Sequence, residues 1–189
     1  MVFIRGFLLL LAAFPVFNAV MGQSAIPAPD RSPLDVSYYP SAYPLLKIQD
    51  KAKDGPVARV VYSRPAKEKR TIYGGIVEYG KVWRMGANEA TEIEFYKDVT
   101  INGKKVPKGR YTVYAIVQEN NWTFIINSET DCWGAFKYDA QKDVVRMQVP
   151  AIPTSETVEL LSMYFENNAQ QINFVVAWDN YMAKLPIKI

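Results

Sequence analysis

The stretch from Tyr62 to Glu89 sets Arg64, Arg84, Asn88 and Glu89 among the rings of Tyr62, Tyr73, Tyr79 and Trp83. An arginine in such a setting can grip a carboxylate through two parallel hydrogen bonds and stack on a ring. Tyr62, Arg64, Trp83, Arg84, Asn88 and Glu89 are therefore candidate contacts for a sugar or a peptide terminus. The same polar groups also suit the backbone of a long irregular crossover, where each unpaired buried group costs about 1–3 kcal/mol. A second aromatic stretch, from Trp133 to Asp139, adds Trp133 and Tyr138. Trp133 follows Asp131-Cys132 and precedes Gly134, a loop context. It is the preferred contact residue, because a flat, rigid ring stacks on sugars at small entropic cost.

No histidine occurs in the 189 residues. That removes the Ser-His-Asp triad, the Cys-His pair and the HExxH zinc site, each of which needs a group titrating near neutrality. Acid–base work would fall to carboxylates: Glu78, Glu89, Glu92, Glu94, Asp131, Asp139 and Asp143. Two of them facing each other could run glycoside hydrolysis, with Glu89 as the candidate acid or base. Glu92 and Glu94 lie on one face of a strand and read as a solvated face. Asp139 and Asp143, on either side of Lys142, are candidate metal ligands, without the glycine and terminal glutamate of a helix-loop-helix calcium site. Cys132 is the single cysteine, so it has no intramolecular disulfide partner, no histidine to activate it and no second thiol to resolve it. The glycines at 74, 75, 80 and 86 lack the GK[ST] ending of a phosphate loop, and no cofactor is expected.

With 22 Lys+Arg against 19 Asp+Glu, the chain carries no electrostatic footprint for nucleic acid or for an anionic membrane surface. Residues 1–22 read as a signal peptide: one basic residue, Arg5, then an apolar run over 7–21 too short to span a bilayer, then small residues. Cleavage is expected before Gln23, giving an exported, periplasmic or secreted protein with no membrane span after signal removal. Residues 23–44, with Pro27, Pro29, Pro33, Pro40 and Pro44, read as an extended leader partly laid against the domain. Residues 45–189 read as one domain.

Within that domain, runs at 57–63, 91–101, 110–118, 122–128, 144–149, 157–165 and 171–178 favour β-branched and aromatic residues. Turn residues divide them, Asn102-Gly103 being the clearest hairpin signal. In 91–101 the alternation sends Ile93, Phe95, Val99 and Ile101 inward and Glu92, Glu94 and Tyr96 outward. The 110–118 run is apolar on both faces, a central strand covered on each side. The architecture expected is all-β, a single-domain antiparallel β-sandwich of jelly-roll or Greek-key type.

The wording YSRPAKEKRTIYGGIVEYGKVWRMGANEATEIEF at 62–95 and WGAFKYDAQKDVVR at 133–146 resembles an uncharacterised family of exported bacterial envelope proteins, domain of unknown function 2911. The resemblance runs from about residue 32, and its most specific stretch is GKVWRMGANEAT at 80–91. It implies a single β-sandwich behind an export signal and supplies no catalytic residue. The residues themselves point to a non-catalytic binding or interaction module with a glycan or envelope protein as partner. A carboxylate-dependent glycan hydrolase and a purely structural envelope component are the other two readings.

Overall fold

The computed structural model of the chain describes residues 26–168 and 171–189. The expected signal peptide and its cleavage point lie outside those residues. The described chain forms eleven strands: β1 Leu34–Tyr39, β2 Ala58–Ser63, β3 Val82–Trp83, β4 Glu92–Phe95, β5 Val99–Ile101, β6 Lys104–Val106, β7 Gly109–Val117, β8 Asn121–Asn127, β9 Asp143–Pro150, β10 Ile152–Asn168 and β11 Gln171–Ile187. A short helix, α1 Tyr43–Ile48, follows β1. No helix among the described residues is long and apolar enough to cross a membrane.

The fold is an all-β antiparallel sandwich. One layer is a sheet of order β1-β2-β4-β7-β8-β9. Because β8 occupies one edge of β7 along residues 112–117, β3 and β4 lie in tandem on its other edge. The second layer is the long β10–β11 hairpin, joined at its end by the β5–β6 hairpin, where Thr100 and Lys188 exchange two main-chain hydrogen bonds of 2.9 Å. The chain thus changes layer between β4 and β7 and again after β9.

Alternation in the sequence sets these faces. Ile93, Phe95, Val99 and Ile101 are all buried, while Glu92, Glu94 and Tyr96 face outward. The single run expected over 91–101 nevertheless divides into β4 and β5, which pair with different partners; Asp98, at the bend between them, accepts the Lys108 amide at 2.9 Å. Asn102 and Gly103 both take positive φ, 50° and 73°, as a tight hairpin turn between right-twisted strands requires.

The proline-rich leader is extended only in part. Residues 34–39 form β1 at the edge of the sheet, bracketed by Pro33 and Pro40, and edge strands tolerate such neighbours. Pro44 then sits in the first turn of α1, where its missing N–H costs nothing.

The main core lies between the layers, with indoles contributed from both. Trp83 stacks on Trp178 of β11, with ring centroids 6.2 Å apart and planes at 14°, and meets Trp122 of β8 edge-on at 6.1 Å. Two residues expected at a ligand surface are packed mainly into this core, with only an edge of each bordering an outer cleft. Trp83 pairs with Ala115 of β7 and shares that residue's inward face, where it is 8% exposed. Tyr62 is 3% exposed and donates its hydroxyl to Asp35 at 3.3 Å.

Arg64 is also committed internally. It ties the first layer to the second, donating to the Leu161 carbonyl at 3.2 Å, to Ser162 Oγ at 3.0 Å and to Asp35 at 3.0 Å. With all three of its nitrogens donating within the fold, it serves as a tie between the layers.

Removing the Trp83 indole opens a cavity at the meeting point of three aromatic rings. Trp83→Ala should cost about 3–5 kcal/mol of folding stability, read from urea denaturation; a loss under about 1 kcal/mol would mean that the indole does not join the layers.

Candidate functional site

Strand β7 is buried on both faces, and its two faces do different work. Val113, Ala115 and Val117 enter the main core. Tyr114 and Ile116 point the other way, and with Ile125 and Val82 they form a second, smaller apolar cluster roofed by Cys132, Ala135 and Tyr138. The roof is the loop over 128–142. Without it the outer face of a central strand would lie bare to water.

The roof is tied to the segment 84–91 that joins β3 to β4. The Ala90 amide donates to the Cys132 carbonyl at 2.9 Å, and the Gly134 amide to the Asn88 carbonyl at 3.0 Å. The two aromatic-rich stretches singled out in the sequence therefore meet, 44 residues apart in the chain, through a β-bridge between Glu89 and Trp133.

Four polar side chains are buried among the described residues: Ser63, Thr91, Thr112 and Asn127. Each one holds one of these two segments. Ser63 Oγ donates to the Ala87 carbonyl at 2.8 Å and accepts its amide at 2.6 Å. Thr91 donates to the Met85 carbonyl at 2.8 Å. Thr112 donates to the Glu129 carbonyl at 2.7 Å, and Asn127 donates to the Asp139 carbonyl at 3.0 Å and accepts the Glu129 amide at 2.9 Å. Gly86 is required beside Ser63, since a Cβ there would sit 2.5 Å from the serine oxygen. Met85, Asn88 and Asp131 adopt left-handed φ of 59°, 59° and 61°. Such strain gathers where a functional surface is over-determined by its surroundings.

Three clefts surround the roof. The first, of about 540 Å³, has Tyr114 in its wall beside Thr130, Cys132, Trp133, Phe136 and Lys137. The second, of about 290 Å³, is bounded by Leu34, Val61, Glu89, Glu92 and Asp131, and shares Cys132 and Trp133 with the first. The third, of about 300 Å³, is lined by Ile76, Glu78, Lys81, Arg84 and Phe136. Trp133 stands between the first two and is 63% exposed; Phe136, between the first and third, is 84% exposed.

A model of the family described as protein of unknown function, DUF2911, matches residues 44–187, most of the chain and all of the outer face except β1. The chain belongs to this family. No curated protein and no solved structure matches it at a significant level.

Of the candidate residues in this DUF2911 domain, Arg84, Asn88, Glu89 and Trp133 converge on the outer face. Asn88 contributes its carbonyl to the bridge and donates its side-chain amide to Asp30 at 2.9 Å. Glu89 is exposed and makes no side-chain hydrogen bond among the described residues. The other acids in its cleft are both engaged by Arg110, which lies 3.4 Å from Glu92 and 2.5 Å from Asp131. Glu94, facing outward beside Glu92, pairs with Arg59 at 2.5 Å, so this strand face is a cross-strand charge ladder and not a free acidic one.

Tyr138 is a strut in place of a contact residue. Its hydroxyl donates to Asp143 at 2.6 Å and accepts from Arg146 at 2.6 Å, and its ring meets Tyr114 edge-on. The two metal candidates are likewise occupied. Asp139 caps the short 3-10 turn over residues 140–142 through the Gln141 amide, and Asp143 accepts from Tyr138, Arg146 and Asn127. No group of three or more His, Cys, Asp or Glu residues suited to a metal exists among the described residues.

Phe136 was not among the sequence candidates. The signal for it was its place two residues after Gly134, whose φ of 69° turns the loop outward.

Burial, reinforced by the bond to Asp143, pushes the Tyr138 phenol up to about 12. Burial and the neighbouring Cys132 thiol push Tyr114 up as well. An unfolded tyrosine loses its proton near pH 10. Above that pH the unfolded chain sheds protons the folded chain keeps, so stability should fall from about pH 10 to about pH 12. Tyr138→Phe should flatten that decline in urea midpoints measured across the range; an unchanged slope would remove Tyr138 from the linkage.

Proposed function

We propose that this DUF2911 domain is an exported, non-catalytic binding module of the bacterial envelope that takes a saccharide or another flat-faced ligand against Trp133. One observation carries the reading: an exposed indole stands between two clefts on a loop that buried hydrogen bonds hold in place. The larger cleft, about 540 Å³, falls in the size range of small-molecule sites. Its rings are presented by a fixed loop, so little ordering cost opposes binding.

Hydrolysis is less well supported. Glu89 has no uncommitted second acid in its cleft, because Glu92 and Asp131 are both paired with Arg110. The export part of the reading rests on the apolar run over residues 7–21 and the small residues that follow it.

The test is a thermal-shift screen against glycans, peptidoglycan fragments, peptides and divalent cations. A saccharide should raise the melting temperature, by the equivalent of about 2.7 kcal/mol at a hundredfold excess over Kd. Trp133→Ala should abolish the shift while leaving the unliganded melting temperature unchanged, since the ring is exposed. A panel with no saccharide hit, or a hit that survives Trp133→Ala, overturns the reading in favour of a protein partner or a structural role. For export, sequencing the protein's amino terminus after expression in a bacterial host should give Gln23 as its first residue; a retained Met1 would overturn it.

A further inference from the structure

Arg84 follows Trp83, which points into the core, and lies on the opposite, outer face, where it lines the third cleft. The other arginines among the described residues all have partners. Arg31 pairs with Glu68, Arg59 with Glu94, Arg64 with Asp35, Arg110 with Glu92 and Asp131, and Arg146 with Asp143. Arg70 donates to the carbonyls of Lys67 and Ala66.

Arg84 makes no ion pair and no side-chain hydrogen bond among the described residues, and its Nε is buried without a partner. Arg59 Nε is buried unpaired too, yet that guanidinium carries Glu94. Every Asp and Glu of the chain lies within the described segments, so no side-chain carboxylate outside them is available to Arg84. Glu78 is on the exposed rim of the same cleft and forms no ion pair with it. Burial lowers the Arg84 pKa from the usual arginine value, and no neighbouring anion opposes that effect. A half-buried cation left unpaired weakens folding unless something else occupies the position.

We propose that Arg84 is the anion-holding residue of a ligand subsite in this cleft, receiving a carboxylate, phosphate or sulfate group whose attached body lies on Phe136 and Ile76. The planar guanidinium fork matches such oxyanions through paired hydrogen bonds. Lys81 adds a second positive charge on the same cleft. Ile76, 50% exposed, and Phe136, 84% exposed, supply the apolar rim. The subsite is separate from the indole of Trp133, which does not line it.

Its test is NMR of the arginine Nε–H signals during titration with benzoate, phenyl phosphate and phenyl sulfate, with benzyl alcohol as the uncharged control. The Arg84 signal should shift saturably with at least one of the three anions and not with the alcohol; which one responds identifies the group. Arg84→Gln should weaken that binding, followed at the Phe136 ring signals, about tenfold or more. Its melting temperature should equal or exceed that of the parent, because Arg84 makes no bond to lose. No saturable shift with any of the three anions, an equal response to benzyl alcohol, or unchanged binding by Arg84→Gln overturns the proposal. The anion titration should persist in Trp133→Ala, so failure of the ring-stacking reading and failure of this one are read separately.

Discussion

A buried hydroxyl or amide must find a partner, at a cost of about 1–3 kcal/mol if it does not. In this fold the buried polar side chains Ser63, Thr91, Thr112 and Asn127 find theirs in the main chain of residues 85–87 and 129–139. The outer surface is built on that constraint. Ser63, Thr112 and Asn127 reach from the sheet to an irregular segment and fix it, and Thr91 closes the segment 84–91 on itself through the Met85 carbonyl. The loops acquire the rigidity of the strands without being strands.

With those anchors in place, the remaining features of the outer face follow. The segment 84–91 is held closely enough that Met85, 0% exposed, keeps a left-handed backbone. The roof loop buries Tyr114 and Ile125 and partly covers Ile116. Sealing leaves Trp133 and Phe136 on the outside, because the space beneath the loop is already filled by Cys132, Ala135 and Tyr138. Two large rings exposed on a pinned loop have no packing explanation, and it is their surplus relative to the fold's own needs that marks them.

Most of the fold was legible from alternation and turn chemistry. Ile93, Phe95, Val99 and Ile101 fell inward as their spacing required, and Asn102-Gly103 made the turn its side chains favour. The limits of β10 and β11 were not legible. Along β11 the inward residues run Ile172, Phe174, Val176 and Trp178, then Ala183, Leu185 and Ile187. The phase inverts at Asp179, whose φ is 52°, so an alternation count stops at Trp178 although the strand runs to Ile187. The outer site was visible as two aromatic-rich stretches, and only the structure, through the Glu89–Trp133 bridge, shows that they meet. It could not divide their residues by role. Trp83 and Arg84 are neighbours in a two-residue strand and its exit, and one side of that strand is core while the other is cleft; only the pairing with β7 decides which.

Recognition and turnover make different demands on such a surface. Turnover by proton transfer near neutrality needs a group whose pKa has been moved toward neutrality. On this face burial drives Tyr114 and Tyr138 upward, away from it. The acids beside Glu89 are held by Arg110 and the Asp143 carboxylate by Tyr138, Arg146 and Asn127, so the ionisable groups that are most constrained are spent on holding the loops. What this face leaves exposed or unpaired is two aromatic faces, one guanidinium, and the carboxylates of Glu78 and Glu89, which line different clefts. Rings and a fixed cation discriminate ligands by shape and charge and change neither protonation nor bonding in doing so. That division of labour, with ionisable groups holding the loops and the rings left outside, is the physical basis of the binding role proposed above.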